Sequence, residues 1–362
     1  MMQYHVKTGK RECGGVVVGQ TVNQCSVNAA NRLGLDYRIE ASMLPFSGTI
    51  YDIHTHLNTV ESAGFYMEVA RLYGVSRVWS MTPLECIDQF RAVFGDQVEF
   101  IAAPHHVAMD DEQTFTRELL DRIEAFAAKG AKICKFWAAP RSLDRSPLMA
   151  LDSKPRWEAM RLARSLGMIF MCHVGDPDTW FATHYRDRNQ YGNKESHFSK
   201  LRRALDEFGD VPWIVAHMGG WPERLDIIQD LFDQYPRYYV DCSATKWMVR
   251  ELSRHGDAFA DFCRRNRGRI LFGTDLVVND ENMDFDHYAS RFWSLRTLLE
   301  TDYDGPSPIV DPDLAMMDPS LSEDSTARLH GMNMQPAILE LLYAGAAAKL
   351  LEPLYQDVGR LV

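Results

Sequence analysis

Eight short apolar runs punctuate this chain, and each is followed by a polar or amphipathic stretch. They lie at 48–54, 76–81, 98–103, 131–136, 168–173, 212–217, 237–242 and 269–274. Between them stand stretches such as RWEAMRLARSLG at 156–167, ERLDIIQDLFDQY at 223–235 and DAFADFCRRN at 257–266, with apolar residues at helical spacing. Continuous apolar strands alternating with helices call for parallel pairing, with both faces of the sheet covered. Eight such units favour a closed (β/α)8 TIM barrel over an open doubly wound sheet. No G-x-G-x-x-G or G-x-x-x-x-G-K-[ST] follows any run. The expected barrel occupies 48–362, behind an irregular N-terminal extension over 1–47 with one short helix near 24–33. A segment at 276–330, rich in Asp, Pro and Met, is expected as a long insertion after strand 8, covering the barrel mouth or making an oligomer contact.

The first run, Tyr51-Asp52-Ile53-His54-Thr55-His56-Leu57, carries two histidines at i and i+2. Strand side chains alternate, so Asp52, His54 and His56 are expected on one face. Two imidazoles at that spacing can reach one ion, and an upstream carboxylate can orient a ligand. Three further ligand-type residues end later runs: His173 in MCHVGDP, His217 in IVAHMGG and Asp275 in LFGTDLV. The carboxyl ends of strands are where a parallel barrel builds its active site.

Other features narrow the class. The net charge of −11, with no Lys/Arg block, argues against a nucleic-acid surface and for a small-molecule partner. No run of about 18 apolar residues occurs and the opening MMQYHVKTGKRE lacks an apolar signal core, so no membrane partner and a cytoplasmic location are expected. Seven cysteines, dispersed without a C-x-x-C pair, suggest neither a disulfide framework nor a zinc ribbon. Cys134, Cys172 and Cys242 lie inside apolar runs and are expected as small buried hydrophobes.

With DIHTHL, CHVGDP, AHMGG, FGTD and the closing segment LHGMNMQPAILELLYAGAAAKLLEP, expected as a helix, the chain resembles the amidohydrolase superfamily. The likeness is to its amidohydrolase-related branch, which includes aminocarboxymuconate semialdehyde decarboxylase-like enzymes, and it spans about 48–353. The closing segment departs from the family in having Gly345-Ala346-Ala347 where Gly-Asn-Ala is usual, and the 276–330 insertion is longer than expected. The resemblance implies that His54, His56 and His173 bind a divalent metal with Asp275 completing or bridging the site, and that His217 is an acid/base or electrostatic residue. The same donor set suits Zn2+, with Mn2+ or Fe2+ also acceptable, and such an ion brings the pKa of water towards roughly 7. Asp275 would then accept and later deliver a proton, while His217 stabilises charge on the attacked oxygen.

Lys135 ends the fourth run. A lysine at that strand is carboxylated to bridge two metals in some branches of the superfamily, although a substrate-carboxylate clamp or an ion-pair partner is the preferred expectation. His105 and His106 follow the third run and could reach the site, although exposed loop histidines are the preferred expectation. After the fifth run, Trp180, Phe181, His184, Tyr185 and Arg186 would suit a planar, anionic or aromatic substrate or, equally, an oligomer contact. After the seventh, Lys246, Trp247 and Arg250 stand near the mouth, with Arg250 the preferred carboxylate binder and a surface salt bridge its alternative. Three functions remain: a hydrolase of a C–N or C–O bond in a small molecule, a non-oxidative decarboxylase of an aromatic or unsaturated carboxylate, and a catalytically idle barrel kept as a binding or assembly module. A homodimer is the expected oligomer.

Overall fold

The computed structural model describes residues 28–104, 107 and 111–356. Its main sheet is wholly parallel and runs β8-β7-β6-β5-β4-β3-β2-β1-β9. The strands are β1 (Ile50–Leu57), β2 (Val75–Ser80), β3 (Val98–Ala102), β4 (Ile133–Trp137), β5 (Ile169–His173), β6 (Trp213–Val215), β7 (Tyr238–Asp241), β8 (Ile270–Leu271) and β9 (Leu276–Val278). Every one of the eight apolar runs supplies a strand. The three expected helices form at Lys154–Ser165, Leu225–Gln234 and Asp257–Arg265.

β8 pairs with β7 and β9 pairs with β1, so the two short strands are halves of one interrupted eighth strand that closes a (β/α)8 barrel. Between the halves, Ile53 N donates to the Phe272 carbonyl at 3.1 Å and Asp275 N to the His54 carbonyl at 2.7 Å. Residues 276–278 therefore belong to the barrel, which corrects an insertion expected to begin at 276. Asp275 sits at the break with φ 58°, a left-handed conformation that costs a non-glycine residue roughly 1–2 kcal/mol.

The barrel is filled by Ile53, Trp79, Ile101, Ile133, Ile169, Met171, Ile214 and Leu271, all at most 3% exposed, and its amino-terminal end is plugged by Ala346, Ala347 and Leu351. The closing segment is not one helix from Leu329. Leu329 and His330 end strand β11 (Thr326–His330), which pairs antiparallel with β10 (Asp304–Val310). Helix begins only at Pro336, whose fixed φ suits a first turn, and passes through a π-turn at Leu341–Gly345.

The helix expected near 24–33 is also corrected. Residues 28–33 are turns, because Asn31 uses its side chain to bind both the amide and the carbonyl of Leu35, in competition with a helical ladder. Helix starts instead at Tyr37–Met43, capped by Asp36, and residues 24–27 lie outside the described residues. Cys134, Cys172 and Cys242 are buried, as expected. No helix among the described residues is long and apolar enough to cross a membrane.

Candidate metal centre

β1 does not keep a regular pleat. Asp52 pairs with Val78 but Thr55 with Ser80, so β1 carries one extra residue between them, a β-bulge. The extra residue sends Ile53 into the barrel and turns Asp52 the other way, against the helix Val60–Leu72. There Asp52 Oδ2 accepts from Tyr66 Oη (2.8 Å) and Thr274 Oγ1 (2.6 Å), and Oδ1 from the amides of Thr274 (3.0 Å) and His54 (3.2 Å). The expectation that Asp52 shares a face with His54 and His56 is thus corrected: it ties β1 to the break in the eighth strand. Burial pushes its pKa up to about 6.

Beyond the bulge, His54 and His56 meet Asp275. The His54 Nε2 and His56 Nε2 atoms lie 3.2 and 3.1 Å from Asp275 Oδ1, and Asp275 Oδ2 lies 3.8 Å from His217 Nε2. His217 stacks on His54 with ring centroids 5.1 Å apart, and its own φ of 59° swings it inward past the end of β6. On the far side, His54 Nδ1 lies 2.9 Å from Asp241 Oδ2, and His217 Nδ1 lies 2.7 Å from Ser243 Oγ.

The electrostatics follow from these contacts. Burial works to raise the Asp275 carboxyl, but the imidazoles of His54 and His56 outweigh it and hold its pKa well below the usual carboxylate value. Burial, then the neighbouring His173, pushes His217 well below the ordinary histidine range. His56 is lowered by burial, whereas at His54 the carboxylates of Asp241 and Asp275 overcome burial and Lys135 and raise it.

The donor set fits a divalent cation. His54 Nδ1 faces the Asp241 carboxylate, which only accepts, so a neutral His54 carries its proton there and presents a lone pair at Nε2, 3.0 Å from Lys135 Nζ. A lone pair facing a carboxylate oxygen at 3.2 Å is repulsive unless a positive charge lies between them. Two ligands about 2.1 Å from one tetrahedral ion stand about 3.4 Å apart, close to the separations at Asp275. His54, His56 and Asp275 are one of two residue groups whose ligand atoms lie within 4.8 Å of one another among the described residues. The other, His54, His217 and Asp241, is occupied by the hydrogen bonds just given.

The remaining candidates divide. His173 packs edge-on to His217 with centroids 4.3 Å apart, but its Nε2 is held by Asp176 Oδ1 at 3.0 Å, which leaves Nδ1 as its free nitrogen. Lys135 is buried inside the site, where burial lowers its pKa. Trp247 is brought in as well, its ring 5.7 Å from that of His217. Trp180 and His184 instead face Asp313 of the insertion, at 2.8 Å from Nε1 and 3.7 Å from Nε2. Phe181 is buried and Tyr185 donates to Asp176 Oδ2 at 2.7 Å. Arg186 is exposed and donates back to the Ala182 carbonyl, away from the site.

Arg250 is not a free carboxylate binder. Its Nε donates to Glu251 Oε1 at 2.6 Å, and its Nη1 is bound closely by Asp311. Lys246 joins the same group, 3.5 Å from Asp311 and 3.7 Å from Asp313. The insertion thus brings its own anions to these cations, and the helix Asp313–Met317 packs against the helix Asp178–Thr183. His105 and His106 lie outside the described residues.

Sequence reasoning missed Asp241, Ser243, Asp176, Asp311 and Asp313. A signal was present for the first two: in YYVDCS the polar residues stand two apart at the carboxyl end of a strand, on the face that also carries Tyr239 toward the barrel interior.

Fold and site together define a parallel barrel with a histidine–carboxylate cluster at the carboxyl ends of its strands. A family model described as Amidohydrolase matches residues 51–351, and the chain belongs to that family. It is an enzyme of the amidohydrolase superfamily. Among solved structures, it is similar to a probable 2-pyrone-4,6-dicarboxylic acid hydrolase from Acinetobacter baumannii with citric acid bound, at 12% identity, covering 84% of this chain and 99% of that one, TM-score 0.46. It is also similar to a 2,6-dihydroxybenzoate decarboxylase complexed with 2,6-dihydroxybenzoate (12% identity, 85% and 99% covered, TM-score 0.48). A third is a 5-carboxyvanillate decarboxylase from Novosphingobium aromaticivorans complexed with manganese and 4-hydroxy-3-methoxy-5-nitrobenzoic acid (10% identity, 84% and 96% covered, TM-score 0.47). No curated protein sequence matches the chain.

Proposed function

We propose that this chain is a metal-dependent hydrolase of a C–N or C–O bond in a small, carboxylate-bearing molecule. The observation that carries the reading is the convergence of His54 Nε2 and His56 Nε2 on one oxygen, Asp275 Oδ1, at 3.2 and 3.1 Å. His173 would join through Nδ1. A divalent ion held there, Zn2+ by preference of two or three imidazoles and a carboxylate, supplies Lewis acidity and makes water ionisable near neutral pH.

The chain's own residues do the rest. Asp275, held ionised, has one oxygen turned to the histidine pair and the other toward His217, so it takes a proton from attacking water and returns it to the leaving group. Lys135 is the cation nearest the cluster and binds the substrate carboxylate, a role that Arg250 gives up to the insertion's carboxylates. Trp247 forms a flat apolar wall beside His217.

The test is turnover of carboxylate-bearing lactones and amides by zinc-loaded protein in 18O-water. The expected result is one heavy oxygen in the product and loss of turnover on chelation. Undiminished turnover after metal stripping overturns the metal role. Release of CO2 without heavy oxygen replaces hydrolysis by decarboxylation.

A further inference from the structure

We propose that Asp241 and Ser243, at the end of β7, are positioning residues that set the tautomers of His54 and His217, so that both imidazoles turn an unprotonated Nε2 toward Asp275. Asp241 Oδ1 accepts from the amides of His217 (2.9 Å) and Ser243 (3.1 Å) and from the Ser243 hydroxyl, and its Oδ2 faces His54 Nδ1 at 2.9 Å. Asp241, Ser243, His54 and His217 are all buried, so water does not satisfy these groups.

Donor counting then fixes each proton. An ionised carboxylate only accepts, so the hydrogen between Asp241 and His54 belongs to His54 Nδ1. Ser243 has one hydroxyl proton, and the ionised Asp241 Oδ1 closest to it can only accept, so that proton points to Asp241. Its Oγ therefore accepts at its other two contacts, 2.7 Å from His217 Nδ1 and 3.1 Å from His54 Nδ1, so the hydrogen at His217 belongs to Nδ1 and the His54 Nδ1–H is shared between Asp241 and Ser243. A neutral imidazole protonated at Nδ1 has its lone pair on Nε2. For His54 the 3.0 Å contact with Lys135 Nζ, which can donate, is in keeping with the same lone pair.

One consequence separates this from the sequence expectation for His217. With a lone pair 3.8 Å from Asp275 Oδ2, His217 is a proton acceptor or a ligand, and it does not donate a hydrogen bond to an oxyanion. The trio His54, His217 and Asp241 is accordingly a hydrogen-bonded relay behind the site, with its Nδ1 positions taken by protons.

The test is long-range 1H–15N correlation on metal-free, 15N-histidine-labelled full chain at pH 8.5, with His54→Gln and His217→Gln used for assignment. The expected result is Nδ1–H and bare Nε2 at both residues. An Nε2–H signal at either one in the unmodified protein is enough to overturn the proposal. Asp241→Asn sharpens the test: two backbone amides hold Oδ1 as a carbonyl, so the new NH2 must face His54 Nδ1. His54 is then driven to the Nε2–H form, with zinc affinity against a competing chelator falling about 10–100-fold. Ser243→Ala is expected to release His217 alone to the Nε2–H form, where Asp275 can accept. An unchanged His54 pattern in Asp241→Asn contradicts the proposal. Only the affinity readout rests on the proposed cation site: a protein with the expected tautomers that binds no zinc refutes the metal reading and leaves the tautomer assignment standing.

Discussion

Arg250→Met removes a guanidinium from beneath the insertion while keeping most of the side chain's apolar stem. Arg250, Glu251 and Asp311 are 4%, 0% and 1% exposed at their side chains, so the two carboxylates lose a partner in a dry environment. Removing one member of a buried ion pair costs about 3–5 kcal/mol, mostly as uncompensated charge. Here other cations stay close: Lys246 Nζ is 3.5 Å from Asp311, and Arg254 Nη1 is 2.5 Å from Glu251. The expected loss is therefore at the lower end, about 3 kcal/mol, read as a reduced midpoint in urea unfolding and a melting temperature lower by roughly 4 °C. Pairing the change with Asp311→Asn should recover part of the loss, because the orphaned charge goes with it. Metal content stays the same, and so does KM once folded protein is compared. A loss below about 1 kcal/mol together with a raised KM would refute the reasoning and restore Arg250 as the substrate's anchor.

Other outcomes follow from the same coordinates. Asp275→Asn keeps part of the metal but loses at least about a hundredfold in turnover, measured at saturating metal, because proton transfer at Oδ2 is removed. Gly220→Ala forces a side chain into φ 78° with its Cβ 2.9 Å from the backbone N and O of Gly175. It should cost more than about 2 kcal/mol in chemical unfolding, above the left-handed penalty alone. Acid should loosen the insertion. Burial works to raise the Asp313 carboxyl, but Lys246 and the Trp180 indole hold it below the ordinary carboxylate range. With the folded value below the unfolded one of about 3.9, its stabilisation is complete above that pH and is lost as pH falls through the folded value. Asp313→Asn should flatten that acid-side fall and shift Trp180 emission at neutral pH.

The barrel was legible because each strand is an apolar run bounded by polar turns, and such runs have only one economical packing when they alternate with helices. The cluster of His54, His56 and Asp275 was legible for a related reason: residues at strand ends converge whatever the loops do. The face of Asp52 was not, since a single inserted residue reverses the pleat and leaves no mark on the apolar pattern. The break at residues 272–275 hid the last two strand pairings, which hang on backbone bonds to Ile53 and His54. Arg250 misled because its partner Asp311 stands 61 residues away, in a segment with no periodicity to place it. Asp241 was passed over as one polar residue in an apolar strand, although the spacing to Ser243 carried the information.

The most direct measurement is anomalous scattering from crystals grown with zinc, recorded on both sides of the zinc edge. The geometry predicts one peak about 2.0–2.2 Å from His54 Nε2, His56 Nε2 and Asp275 Oδ1. A zinc-saturated crystal with no peak there, or with its ion on other residues, would contradict the metal centre and the hydrolase built on it.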